Sequence, residues 1–145
     1  MTEKTIIVGY DGSEQSAKAL EFAVTMAGKY DCGIHLAHVI DWSPYEFHTM
    51  EENEDQHKVR KDQLRKDRES LFPPLEEKVR SAGLEVTSET YFGHPSTVLA
   101  DEADQRNAQA IVVGRRGMSI FKRALFGSVA STLVHETNRP VVIIP

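Results

Sequence analysis

Alternation limits what this chain can fold into more than any other feature of its sequence. Short apolar runs rich in β-branched residues recur between longer stretches with helical spacing. Lys4-Thr-Ile-Ile-Val-Gly-Tyr10 is one such run, closed by Asp11-Gly12-Ser13, a turn that also starts a helix. Ala17, Leu20, Val24 and Ala27 then mark one helical face through residues 13–30, and residues 33–40 read as a second strand. Residues 51–82 form a long, highly charged helical stretch that Pro73-Pro74 interrupts or restarts. In residues 85–92, Val86, Ser88, Thr90 and Phe92 alternate with Thr87, Glu89 and Tyr91, the pattern of a half-exposed strand. A helix over 95–107, a strand over 110–114, a helix over 128–138 and a strand over 140–144 complete the pattern. Helical crossovers between apolar strands imply mostly parallel pairing. The expected architecture is therefore one doubly wound, five-stranded parallel sheet with helices on both faces.

In such a sheet ligands sit at the carboxyl ends of the strands, where the strand order reverses. Two loops carry residues suited to that place: Asp11-Gly12 after the first strand, and Gly114-Arg-Arg-Gly117 after the fourth. Gly127-Ser128 then opens the next helix. Glycines let backbone approach a ligand closely, and a helix start presents unpaired N–H groups and a partial positive charge, which suit phosphate. Ser128 and Ser131 can donate to phosphate oxygens from the first turn, although Ser128 also suits an ordinary N-cap. Arg115, Arg116, Lys122 and Arg123 gather four positive charges around these glycines in an acidic chain, which favours a polyphosphate. Asp11 can hold a ribose hydroxyl or a metal ion, or it can serve only to cap the first helix.

Bulk properties narrow the partners. At 145 residues the chain suits one domain, residues 1–145, able to bury roughly 68–70% of its unfolded surface. Its net charge is −5 with no basic tail, which argues against duplex nucleic acid as a partner. No apolar run reaches the roughly 18 residues of a membrane span, and the start lacks the pattern of a signal peptide. Cys32 is the sole cysteine, so no intrachain disulfide forms, and a soluble cytoplasmic protein is expected.

Other chemistries fail on spacing. Cys32, His35 and His38 resemble metal ligands, but on a strand His35 and His38 point to opposite faces. His48 and His57 lack partners at a convincing spacing. Gly28-Lys29 is followed by Tyr30 and lacks the upstream glycine of a Walker loop, and no Gly-x-Gly-x-x-Gly follows the first strand. The polar segment 44–55 is a candidate mobile loop over the site.

The pattern Gly-x2-Gly-x9-Gly-Ser at Gly114, Gly117 and Gly127-Ser128 resembles the signature of the universal stress protein family, in its ATP-binding branch. Ile6-Ile-Val-Gly-Tyr-Asp11-Gly-Ser13, Leu36-Ala-His-Val39 and the ending from Val134 through Asn138-Arg-Pro140-Val-Val-Ile-Ile are similar to the same family, so the resemblance spans essentially the whole chain. It implies a Rossmann-like fold of the adenine nucleotide alpha hydrolase type, with ATP and its Mg2+ held between the first and fourth strands. By position, Tyr10 and Asp11 would adjoin the nucleoside, with Asp11 reaching nucleotide-bound magnesium, and the Val39 main chain would read the adenine edge. Gly114, Arg116, Gly117, Gly127, Ser128 and Val129 would surround ribose and phosphates, with Ser131 able to donate to phosphate by its own position in the first turn. The resemblance further implies a homodimer through the last strand, which as a short apolar edge invites pairing with a second copy. No general base or Walker-type lysine is evident, so the expected role is stress response or signalling through occupancy. A slow ATPase and a dimeric interaction module that binds no nucleotide are the alternatives.

Overall fold

The computed structural model describes residues 4–41, 54–115 and 128–145, with the backbone alone at 54–57 and 128. In chain order its elements are β1 (Thr5–Gly9), α1 (Glu14–Tyr30), β2 (Gly33–Asp41), α2 (Glu54–Glu69), α3 (Phe72–Ser81), β3 (Val86–Gly93), α4 (Pro95–Gln105), β4 (Ala110–Gly114), α5 (Ser128–Glu136) and β5 (Val141–Ile144). All four strand pairings are parallel, and the order across the sheet is β3-β2-β1-β4-β5. The doubly wound parallel sheet read from the sequence is the one observed.

The charged stretch read over 51–82 divides into two helices, α2 and α3. Pro73 and Pro74 lie in the first turn of α3, where a missing N–H breaks no helical hydrogen bond, so the proline pair restarts the helix. Most of the polar segment 44–55 lies outside the described residues.

Strand side chains alternate between two apolar layers. Ile6 and Val8 of β1, Ile34 and Leu36 of β2 and Val112 of β4 pack with Ala19, Leu20, Ala23 and Ala27 of α1 and with Phe72 and Val79 of α3. Ile7, Ala37, Ile111 and Val113 face the other way, onto Leu99, Ala100 and Ala103 of α4 and Ala130 and Leu133 of α5. β1 and β4 are central and buried on both faces, which explains why they read as unbroken apolar runs. The edge strand β3 alternates because its outer positions, Thr87 and Glu89, are exposed. Among the described residues no helix is long and apolar enough to cross a membrane.

Candidate functional site

The strand order reverses between β1 and β4, so the loops after these two strands open at the same end of the sheet. In the strand register Gly9 lies opposite Ala37 and Val8 opposite Val112. Continuing it sets Tyr10 beside His38 after one residue on the β2 side and beside Gly114 after two on the β4 side, and one further on the β2 side sets Asp11 beside Val39. The Tyr10 N–H donating to the Ala37 carbonyl at 3.0 Å confirms the first step. Tyr10, Asp11, Val39 and Gly114 therefore form one row across the carboxyl ends of β2, β1 and β4.

The turn after β1 is held by a chain of short-range bonds. The Ser13 N–H donates to Asp11 Oδ1 at 2.9 Å, and Gly12 between them takes a φ of +85°, a conformation that favours glycine. Ser13 is the N-cap of α1: its Oγ accepts from the Ser16 N–H at 3.1 Å. The Ser16 hydroxyl donates back to the Ser13 carbonyl at 2.9 Å. Asp11 thus shapes the turn, and the capping role belongs to Ser13. The cap takes the Ser16 N–H, and Glu14 in the first turn offsets part of the positive end of the α1 dipole, which makes it less suited to an anion.

β2 braces this turn from the side. His38 is 4% exposed, and its Nδ1–H donates to the Tyr10 carbonyl across 2.7 Å. Since a carbonyl can only accept, the neutral ring carries its proton on Nδ1. Burial lowers the His38 pKa, although the bond to Tyr10 opposes the shift. His35 lies on the opposite face, as strand alternation predicts, and burial lowers its pKa to about 4. Cys32 is also buried, and desolvation raises its pKa. The strand does not bring these three together as metal ligands.

At the end of β4, Gly114 passes so close to α1 that a Cβ there would lie 2.8 Å from Gln15 Cβ and 3.0 Å from the Gln15 backbone carbon. The next residue, Arg115, donates its N–H to the Ile144 carbonyl at 2.7 Å. Its Nε is buried and has no hydrogen-bond partner among the described residues. Because α5 returns the chain from β4 to the parallel β5, its start at Ser128 lies at this same end of the sheet. Val129 is half-buried against the α4–α5 layer, and Ser131 is exposed on the first turns of α5. Arg116, Gly117 and Gly127, and with them Lys122 and Arg123, lie outside the described residues, as does the Ser128 side chain.

Of the residues singled out from the sequence, Tyr10, Asp11, Val39 and Gly114 converge, and Ser128, Val129 and Ser131 belong to the helix that starts beside them. The role of His38 as a brace is not legible from its spacing to Cys32 and His35, which bears only on metal ligation. Its position in the register opposite the β1 turn, knowable once β1 and β2 are paired in parallel, is the signal that reveals it.

Fold and site together define an α/β protein of the Rossmann-like class, with the carboxyl ends of β1 and β4 adjacent at its topological switch point. A model of the universal stress protein family matches residues 3–145, and the chain belongs to that family. It is 24% identical over 141 residues to a universal stress protein of Methanocaldococcus jannaschii, covering 97% of this chain and 81% of that protein. The universal stress protein UspA of Lactobacillus plantarum superimposes with a TM-score of 0.81 at 21% identity, covering 100% of this chain and 99% of that one. A universal stress protein of Archaeoglobus fulgidus in complex with dAMP gives a TM-score of 0.66 at 22% identity, covering 100% of both chains. Another, solved in complex with cAMP, gives 0.68 at 22% identity, covering 98% of this chain and 96% of its own.

Proposed function

We propose that this protein binds ATP with Mg2+ at the carboxyl ends of β1 and β4 and acts in stress response or signalling through occupancy of that site. The observation that carries the reading is the row Val39–Asp11–Tyr10–Gly114 at the switch point, with the start of α5 at its end. The complexes of related proteins with dAMP and cAMP support an adenine nucleotide as the ligand. In this reading Asp11 and Tyr10 adjoin the nucleoside, with Asp11 also in reach of the bound Mg2+, and the Val39 main chain reads the adenine edge. Gly114, Arg116, Gly117, Gly127, Ser128 and Ser131 surround ribose and phosphates. Val129 takes part through its main chain, since its side chain packs inward.

The residues present suit such a group. With α1 already capped, the start of α5 is the better place for the phosphates. An anion nearby would also give the buried Arg115 Nε the acceptor it lacks among the described residues. A homodimer through β5, acting in the cytoplasm on a downstream signalling partner, completes the proposal.

Nucleotide released by heat from freshly purified protein, identified by chromatography, tests it directly. Co-purifying ATP supports the reading, and the absence of any adenine nucleotide, together with no binding on titration, overturns it in favour of an interaction module. Single-turnover hydrolysis with Mg2+ distinguishes occupancy from a slow ATPase.

A further inference from the structure

A second polar constellation lies between β2, β3 and α4. His35 is 1% exposed on the face of β2 that α4 covers, opposite Thr87 in the register. Its Nδ1 is 2.6 Å from Thr87 Oγ1, and its Nε2 is 2.9 Å from the Tyr91 hydroxyl. That hydroxyl is within hydrogen-bonding reach of Glu89 and Glu102. Arg106 pairs with Glu102 at 3.0 Å and also reaches Tyr91. One oxygen from each carboxylate and a ring nitrogen of His35 all lie within 4.8 Å of one another.

The charges around this point do not balance. Among the described residues, the charges acting on His35 are the carboxylates of Glu89 and Glu102 and the guanidinium of Arg106. The imidazole between them is neutral, and a phenol has a single proton to share between two carboxylates. Converging carboxylates beside a neutral imidazole make a donor set for a cation with affinity for both oxygen and nitrogen.

We propose that His35, Glu89 and Glu102 bind a divalent cation of the zinc class. The imidazole favours such an ion over Mg2+ or Ca2+, which take shells of oxygen. Zinc bonds of about 2.0–2.2 Å place tetrahedral ligands roughly 3.4 Å apart, so the present cluster must close by little more than 1 Å. Glu89, exposed on the edge strand, can supply that movement. The Tyr91 oxygen either withdraws from Nε2 or becomes the fourth ligand. Thr87 at Nδ1 and Arg106 at Glu102 orient two of the ligands from behind, as outer partners do in metal sites. His35 precedes Val39 by four residues on the same face of β2, roughly 13 Å along the strand. The cation site is therefore separate from the proposed nucleotide site and does not depend on it.

The test uses the full chain, stripped with EDTA and free of nucleotide, titrated with Co2+ and then displaced with Zn2+. Visible absorption of one equivalent of four-coordinate Co2+ is the expected result. Glu89→Gln, at an exposed position, should leave the circular dichroism spectrum unchanged and weaken binding at least tenfold, as should Glu102→Gln. His35→Gln should abolish the absorption. If that variant does not fold, Glu89→Gln decides. A colourless titration overturns the proposal, and so does binding undiminished in Glu89→Gln or lost instead with His94→Gln or His135→Gln.

Discussion

The imidazole of His38 ties β2 to the turn that follows β1, giving its Nδ1 proton to the carbonyl oxygen of Tyr10 across 2.7 Å. The bond joins two neighbouring strands just beyond the last ladder pair, and the Asp11–Gly12 turn departs from it. Replacing His38 by leucine leaves the Tyr10 carbonyl without this donor, and about 1–3 kcal/mol of stability should be lost. Asparagine can present an amide N–H close to where Nδ1 stands, and His38→Asn should recover much of that loss. Urea unfolding measures both. Equal loss in the two variants would assign His38 to packing alone.

Gly114 has a steric duty that precedes any ligand. A methyl group there meets the backbone of the first turn of α1, which cannot swing aside as a side-chain tip can. Gly114→Ala should destabilise the fold by about 1–3 kcal/mol in the absence of nucleotide, measured by denaturant unfolding. A loss of ATP binding in that variant would therefore report altered packing as well as the site. Gly117→Val and Gly127→Val are the substitutions that should abolish ATP binding, while Arg115→Ala should only weaken it. Wild-type affinity in Gly127→Val would remove the second glycine loop from the site.

His35 makes stability depend on pH. Its folded pKa of about 4 lies below the ordinary histidine value, so the unfolded chain binds the additional proton as pH falls. The contribution is intact above about pH 6.5 and is lost as pH falls from there toward 4. Between pH 7 and pH 5, in EDTA, the His35 contribution should fall by about 2 kcal/mol. His35→Gln should flatten that part of the profile. An equal slope in the variant would place the titration elsewhere.

β5 is an edge strand, and the direction of its backbone groups indicates how to test dimerisation. The Pro140 and Ile144 carbonyls accept from Ile111 and Arg115 of β4's side, so residues of that parity face β4. Val141 and Ile143 direct their N–H and C=O groups outward. Ile143→Pro removes an outward donor and spares the β4 ladder, and it should convert a dimer to a monomer by light scattering. Lysine at Val142 or Ile144 is a poorer probe, because both side chains pack against the α1–α3 layer. A wild-type protein that scatters as a monomer at micromolar concentration contradicts the dimer.

Mg-ATP at about 100 times its Kd should add roughly 2.7 kcal/mol to stability. The melting temperature should rise by several degrees, given roughly 2–8 °C per kcal/mol for domains of this range. GTP should raise it less. An unchanged melting temperature in millimolar ATP speaks for the interaction module.

The strands and most helices were legible because burial on one or two faces leaves a period in the sequence. Ile6, Ile7 and Val8 are apolar in succession because both sides of β1 are covered, and Thr87 and Glu89 interrupt β3 because one side is not. The division of α2 from α3 was ambiguous, since prolines can interrupt a helix or open one. The Asp11 turn and the Gly114 loop could be placed by strand order alone. What stayed hidden depends on register between elements: the brace from His38 to Tyr10, the approach of Gly114 to Gln15, and the meeting of His35 with Glu89 and Glu102. Each joins residues whose one-dimensional context is unremarkable.

β1 lies against β2 on one side and β4 on the other, and the second neighbour is about a hundred residues further along the chain. During synthesis β1, β2 and β3 can assemble well before β4 leaves the ribosome. Through that interval one flank of β1 is an open edge, capable of capturing a stray strand. Only the arrival of Ala110–Gly114 closes it, and only then do the carboxyl ends of β1 and β4 lie side by side. A ligand that needs both loops therefore cannot engage a half-made chain. Its capture would mark the moment when translation has delivered a finished sheet.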